Sequence, residues 1–196
     1  MILRSGTELI NPEKVLLHVG IRERMRVADL GCGALGHFVF PAAQMVGPKG
    51  LIYAVDIQRD VLDQVGRRAK DERLENIMPV WSDIDVYRAT HIPDGELDLT
   101  LLVNNLFLSQ NRPNLVKEMA RLTKKGGKAV IIEWKTIATP IGPPVEQRVP
   151  KEDAVKLMAI PEFSFIEEFE AGELHYGLLF QRTDAALSFD TPGAIK

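Results

Sequence analysis

A single cysteine in 196 residues rules out an internal disulfide and points to a reducing compartment, the cytoplasm. No apolar run approaches the roughly 18 residues of a membrane span. The opening stretch MILRSGTELINPEKV lacks the continuous apolar core of a signal peptide. An excess of basic charge is missing too: the net charge is -3, which gives no electrostatic case for nucleic acid. Neither a metal-ligand cluster nor a catalytic dyad stands out, so no metal is expected. Internal repeats and a linker strong enough to divide the chain are also missing.

What is present is an ordinary globular composition, 45% hydrophobic and 26% charged, in a chain long enough for one domain with a substantial core. Residues 1–183 are expected to form that single domain, with 1–25 as an N-terminal helical segment. Residues 184–196, poor in apolar side chains, read as a loose tail. Asn11-Pro12-Glu13 is a helix start, with Asn as cap and Pro at the first position; Val15, Leu16 and Val19 face inward and Gly20 ends the helix.

From Arg26 onward strands alternate with helices. Val27, Ala28 and Leu30 end a buried strand, and a glycine-rich turn leads into a helix beginning near Phe38. Leu51 to Val55 is a central parallel strand ending on Asp56. Val61, Leu62, Val65 and Ala69 have helical spacing; Ile77 to Trp81 is the next strand. Leu97 to Leu108 opens as a strand and becomes a loop at Asn104-Asn105. Asn111 and Pro113 start a helix with a stripe of Leu115, Val116, Met119 and Leu122. Lys124 to Lys128 reads as a turn before the strand Ala129 to Trp134. Thr139 to Pro150 is an irregular, proline-rich loop, and Lys151 to Met158 a short helix. Two closing strands, Phe163 to Phe169 and Tyr176 to Gln181, join at Ala171-Gly172-Glu173. The pattern predicts an α/β fold: a Rossmann-like, seven-stranded, mostly parallel sheet with one antiparallel strand and helices on both faces.

In such a sheet ligands bind beyond the carboxyl ends of the strands. Four groups fall there: the turn Gly31, Cys32, Gly33, Ala34, Leu35, Gly36, then Asp56, then Ser82-Asp83-Ile84, then Asn104-Asn105. A glycine turn lets backbone approach a ligand that side chains would block. Asp56 suits a pair of ribose hydroxyls, Ile57 the face of adenine, Asp83 its amino group, and the Ile84 backbone its ring. Asp29, just ahead of the glycines, suits an ammonium. That placement points to S-adenosylmethionine more than to a nicotinamide. Cys32 reads as a small buried filler.

At these residues the chain resembles the class I (Rossmann-like) S-adenosylmethionine-dependent methyltransferases. VADLGCGALG is similar to the family's first motif, YAVD to the second and WSDI to the adenine-binding motif. LDLTLLVNNLF is similar to the fourth strand beside the methyl donor, and LTKKGGKAVIIEW to the turn and fifth strand. The resemblance runs from Asn11 to Arg182 and leans loosely toward small-molecule enzymes related to the ubiquinone/menaquinone biosynthesis C-methyltransferases. It implies S-adenosyl-L-methionine as cofactor, bound by Asp29, Gly31, Cys32, Gly33, Gly36, Asp56, Ile57, Ser82, Asp83, Ile84 and Asn104. One departure stands out: Gly36 comes one residue later than in the regular DxGxGxG pattern.

Methyl transfer from a sulfonium is an in-line displacement of an already activated group, so alignment is the main task and a base is optional. Candidates for the acceptor side are Asn104, Asn105, Glu133, Trp134, Lys135 and Tyr176. Ile141, Val145 and Val149 of the proline-rich loop are expected to wall the acceptor pocket. Asn104-Asn105-Leu106 is not the Asn-Pro-Pro-aromatic pattern of many base and glutamine N-methyltransferases, and one thiol is too few for arsenic methylation of the familiar kind. A small-molecule acceptor is the default; a homo-oligomer is compatible with the sequence. Two alternatives stay open: a protein that binds the cofactor without transferring methyl, and an NAD-dependent oxidoreductase, whose GxGxxG spacing Gly31, Gly33 and Gly36 also satisfy.

Overall fold

The computed structural model describes residues 9–183. The tail expected at 184–196 lies outside the described residues. Helix α1 (Pro12–His18) starts as its cap implies: the Asn11 side chain accepts from the Lys14 N–H at 2.8 Å, and Val15 and Leu16 are buried. Strand β1 (Arg26–Leu30) lies inside the sheet, with a parallel neighbour on each side. It leads through the glycine turn to α2 (Val39–Val46), where Pro41 is tolerated because it falls in the first turn. Strand β2 (Leu51–Asp56), helix α3 (Arg59–Asp71) and strand β3 (Ile77–Trp81) follow. Strand β4 (Leu97–Val103), helix α4 (Arg112–Leu122) and strand β5 (Thr123–Trp134) form the second half. Helix α5 (Lys151–Leu157) and the strands β6 (Phe163–Gly172) and β7 (His175–Arg182) complete it.

The seven strands are ordered β3-β2-β1-β4-β5-β7-β6, and β7 alone runs against both of its neighbours. The chain winds outward from β1 in both directions, so the crevice between β1 and β4 is the topological switch point. Alternation along the strands splits the core in two. Val27, Leu101 and Ile132 pack with α1, α2 and α3 on one face; Ala28, Leu102 and Ile131 pack with α4 and α5 on the other.

Two boundaries differ from the sequence reading. Lys124 to Lys128 is not a turn ahead of β5 but a bulge inside it: Thr123 pairs with Leu97, and Lys128 with Leu99. The loop-out satisfies the local glycines while Thr123 keeps its place, with its hydroxyl 2.7 Å from that of Thr100. The last hairpin turns later than Ala171-Gly172-Glu173. Pairing continues to Gly172 opposite His175, leaving Glu173 and Leu174 as the turn.

A buried ion pair fastens the long connection from β3 to β4 onto α4. Glu118, fully buried, accepts from the backbone N–H groups of Arg88 and Thr90. Arg121 bonds Glu118, the carbonyls of Thr90 and Ile92, and Asp94. The connection that begins with Ser82 and Asp83 is thereby anchored at its far end.

Candidate active site

The carboxyl ends of β1, β2, β3 and β4 open onto one cavity of about 500 Å³. That lies within the ordinary range for small-molecule sites, roughly 300–1,000 Å³. Asp29, Gly31, Cys32, Gly33, Asp56, Ile57, Ser82, Asp83, Ile84 and Asn104 all line it. Residues up to 75 positions apart in sequence are brought to one opening because each ends, or directly follows, a parallel strand of the same sheet.

Asp56 ends β2 with both oxygens engaged by backbone: Oδ2 accepts from Gly33 at 3.0 Å and Oδ1 from Gln58 at 3.0 Å. Each oxygen retains a lone pair for a ligand. Asp83 accepts from the N–H of Asp85, which shapes the turn beyond β3. Ile57 is 54% exposed at the rim, an apolar surface facing the opening.

Asp29 differs from the other acids. It is 3% exposed, and its Oδ1 is buried without a hydrogen-bond partner. Burial, with Asp56 adding repulsion, pushes its carboxyl up to about 7. An orphaned carboxylate oxygen in a cavity is costly unless a donor or a cation arrives to meet it. Burial and the same two acids raise the Cys32 thiol, so it is not a thiolate and remains a filler.

Gly33 has φ +63°, and a Cβ there would meet nothing within 4 Å. The turn is thus open on its ligand side. Gly36 does not line the cavity, contrary to expectation. Its positive φ of 53° and the Phe40 ring, 2.7 Å from where a Cβ would stand, require glycine for the entry into α2.

Five more acceptor-side expectations find no support in the lining of the cavity. Glu133 is fully buried behind the cavity, its Oε1 accepting from the N–H groups of Leu106 and Phe107. Trp134 packs on His175, ring centroids 4.3 Å apart, with the Arg148 guanidinium over its ring at 5.1 Å from the centroid. The Tyr176 hydroxyl donates to the Val149 carbonyl, and burial raises its pKa. None of the three lines the cavity. The proline-rich loop does not wall it either. Arg148 donates to Lys135, Ile137, Thr139, Ile141 and Pro143, folding the segment onto itself beside Trp134 instead. Lys135 is drawn to Glu170 and the Glu173 carbonyl.

The wall facing Asp29 is formed by Asn104, Asn105, Leu108, Ser109 and Gln110 from the loop between β4 and α4. Sequence reasoning missed the last three, together with Asp85, which receives the Ser109 hydroxyl and the N–H groups of Gln110 and Asn111. His37, which the sequence places in the ligand loop at the start of a helix, lines the cavity as well, and its Nε2 donates to the Ile10 carbonyl at 2.8 Å. The only signal for Asp85 was its position two residues after Asp83; nothing marked the others.

A methyltransferase domain model matches residues 21–161, well over half of the chain. The chain belongs to this methyltransferase domain family. It is 30% identical over 143 residues to the ubiquinone/menaquinone biosynthesis C-methyltransferase UbiE of Laribacter hongkongensis, covering 72% of this chain and 56% of that protein. It is 38% identical over 128 residues to the aklanonic acid methyltransferase DauC of Streptomyces sp. strain C5, covering 64% and 56%. The chain spans about half the length of the curated relatives it matches. A crystal structure of an S-adenosylmethionine-dependent methyltransferase from Aquifex aeolicus superposes with a TM-score of 0.81 at 25% identity, covering 90% of this chain and 92% of that one. The sheet order and lone antiparallel strand are those of class I S-adenosylmethionine-dependent methyltransferases, as the motif resemblance implied. No helix among the described residues of this methyltransferase domain is long and apolar enough to cross a membrane.

Proposed function

We propose that the chain binds S-adenosylmethionine in this cavity and directs its methyl group to a small, uncharged acceptor lying against Asn104. The observation that carries the reading is the orphaned Asp29 Oδ1, buried beside an open glycine turn and in need of a cationic donor. An amino-acid ammonium supplies one. Asp56 would take the ribose hydroxyls on its remaining lone pairs, and Ile57 would lie on adenine. Asp83 and Ile84 would meet the adenine edge.

When bound, the cofactor supplies a methyl group made electrophilic by its sulfonium. The residues of the chain hold, orient and exclude water. Asn104 suits the acceptor's side: its φ is +55°, and both its amide oxygen and amide nitrogen are buried without partners. It offers one acceptor and one donor to a polar atom of the molecule to be methylated.

The lining carries Asp29, Asp56, Asp83 and Asp85 and, among the described residues, neither lysine nor arginine. A phosphate or carboxylate on the acceptor would meet these acids with no basic side chain of the lining to pair it, which supports an uncharged rather than an anionic acceptor. Calorimetric titration with S-adenosylhomocysteine and with NAD tests the cofactor. Binding of the former alone is expected; binding of NAD alone would overturn the reading. Transfer of labelled methyl into a fractionated metabolite extract, recovered in neutral rather than anionic fractions, tests the acceptor and separates an enzyme from a mere binder.

A further inference from the structure

We propose that Glu133 is a positioning residue that clamps the loop carrying Asn104 and so sets the acceptor-facing wall of the cavity. The proposal rests on the reading of that cavity as the methyl-transfer site.

The loop between β4 and α4 lacks regular backbone pairing, yet Asn104 within it adopts a left-handed conformation. Something must hold it there. Its own N–H is bonded to the Ile132 carbonyl of β5 at 2.9 Å. Asn105 then ties the loop to the glycine turn, its amide nitrogen bonding Gly31 O at 2.8 Å and Val103 O at 2.8 Å. Next, Glu133 receives Leu106 N–H at 2.6 Å and Phe107 N–H at 3.3 Å, while Arg112 donates to the Leu106 carbonyl at 3.0 Å. Asp85 closes the far side through Ser109, Gln110 and Asn111. Two carboxylates thus grip the loop, Glu133 from behind and Asp85 from the cavity's own lining, and the other lining residues of the loop lie between or beside the points of attachment.

Of the two grips, Glu133 is the one that costs most. Its Oε2 is buried without a partner, so the side chain is poorly suited to mere filling. What it supplies is acceptor strength toward two N–H groups that would otherwise be buried and unpaired. Arg112 of α4 is the cation that favours its charged form. Tyr176 faces it from β7, with Glu152 and Asp153 of α5 acting on that phenol. Burial raises the Glu133 carboxyl to about 7 against the pull of the backbone bonds. The clamp is therefore stronger above neutrality, where the group is an anion, than below it.

The test is amide hydrogen exchange at Leu106 and Phe107, corrected for intrinsic rates, from about pH 6 to about pH 8, on wild type, E133Q and E133A of the full chain. S-Adenosylhomocysteine binding is measured alongside by calorimetry. In the wild type, protection of these two amides is expected to rise several-fold with pH. In E133Q, which keeps an acceptor oxygen but cannot ionise, it stays flat. Asp29 titrates in the same range in both proteins and does not distinguish them. E133A is expected to lose protection at both amides and to bind S-adenosylhomocysteine about tenfold more weakly. A role confined to packing would lower the melting temperature and leave the pH profile and the ligand affinity unmoved, and that result overturns the proposal. If E133A does not fold, matching profiles for wild type and E133Q overturn it alone. A wild type that fails to bind S-adenosylhomocysteine sinks the cofactor reading, while the exchange profile still decides whether Glu133 clamps the loop.

Discussion

The Oδ2 of Asp56 accepts a hydrogen bond from the Gly33 N–H at 3.0 Å, joining the end of β2 to the glycine turn across 23 residues of sequence. One carboxylate thereby shapes the turn and still faces the cavity. Asp56→Ala is expected to weaken S-adenosylhomocysteine binding by roughly 1–3 kcal/mol, since a charged hydrogen-bonding group is lost and Gly33 N–H is freed. Calorimetry reads this directly; an unchanged dissociation constant removes the ribose assignment.

Gly33 and Gly36 separate a ligand role from a folding role. Gly33→Val places its side chain in open cavity space, so it should abolish binding with only the strain of a left-handed valine on stability. Gly36→Val drives its side chain into Phe40, so it should lower the melting temperature more and impair α2. Thermal melts paired with ligand titration check both, and retained binding in Gly33→Val contradicts the open-turn reading.

Asp29 makes the free protein pH-sensitive. Its carboxyl lies near 7 in the folded chain against 3.8 as an ordinary aspartate, so the native state holds the proton more tightly. Its contribution to stability therefore falls as pH rises from about 4 to about 7, by an amount on the order of 2–4 kcal/mol. Asp29→Asn should flatten part of that decline in melts of the unliganded protein. Ligand affinity should move the other way. An ammonium needs the anion, so S-adenosylhomocysteine should bind more tightly as pH rises to about 7, and Asp29→Asn should bind weakly with no such trend.

Glu118→Ala leaves the buried Arg121 guanidinium short of its main partner and frees the N–H groups of Arg88 and Thr90. The expected loss is about 3 kcal/mol, read by denaturant unfolding. Because this network lies behind the β3–β4 connection, ligand affinity of the folded fraction should change little.

Much of this site was legible along the chain. Asp29, Asp56 and Asp83 each stand at the end of an apolar run, and in a parallel sheet all such ends come out on one edge. Order and spacing are one-dimensional properties, so motif and strand order carried over to the structure with their positions intact.

Direction was another matter. Glu133 and Trp134 also end a strand, yet neither lines the cavity, because the N–H groups of Leu106 and Phe107 claim the first and His175 of β7 packs against the second. The loop from 139 to 150 has the apolar residues of a pocket wall, but Arg148 gathers its carbonyls and folds it away. Gly36 has the spacing of a ligand glycine and serves Phe40. Which residues could meet at the sheet's edge was decided by hydrophobic periodicity in the sequence. Which of them turn toward one another was decided by burial and hydrogen-bond satisfaction in three dimensions, where a neighbour from a distant element claims a side chain that the sequence alone leaves free.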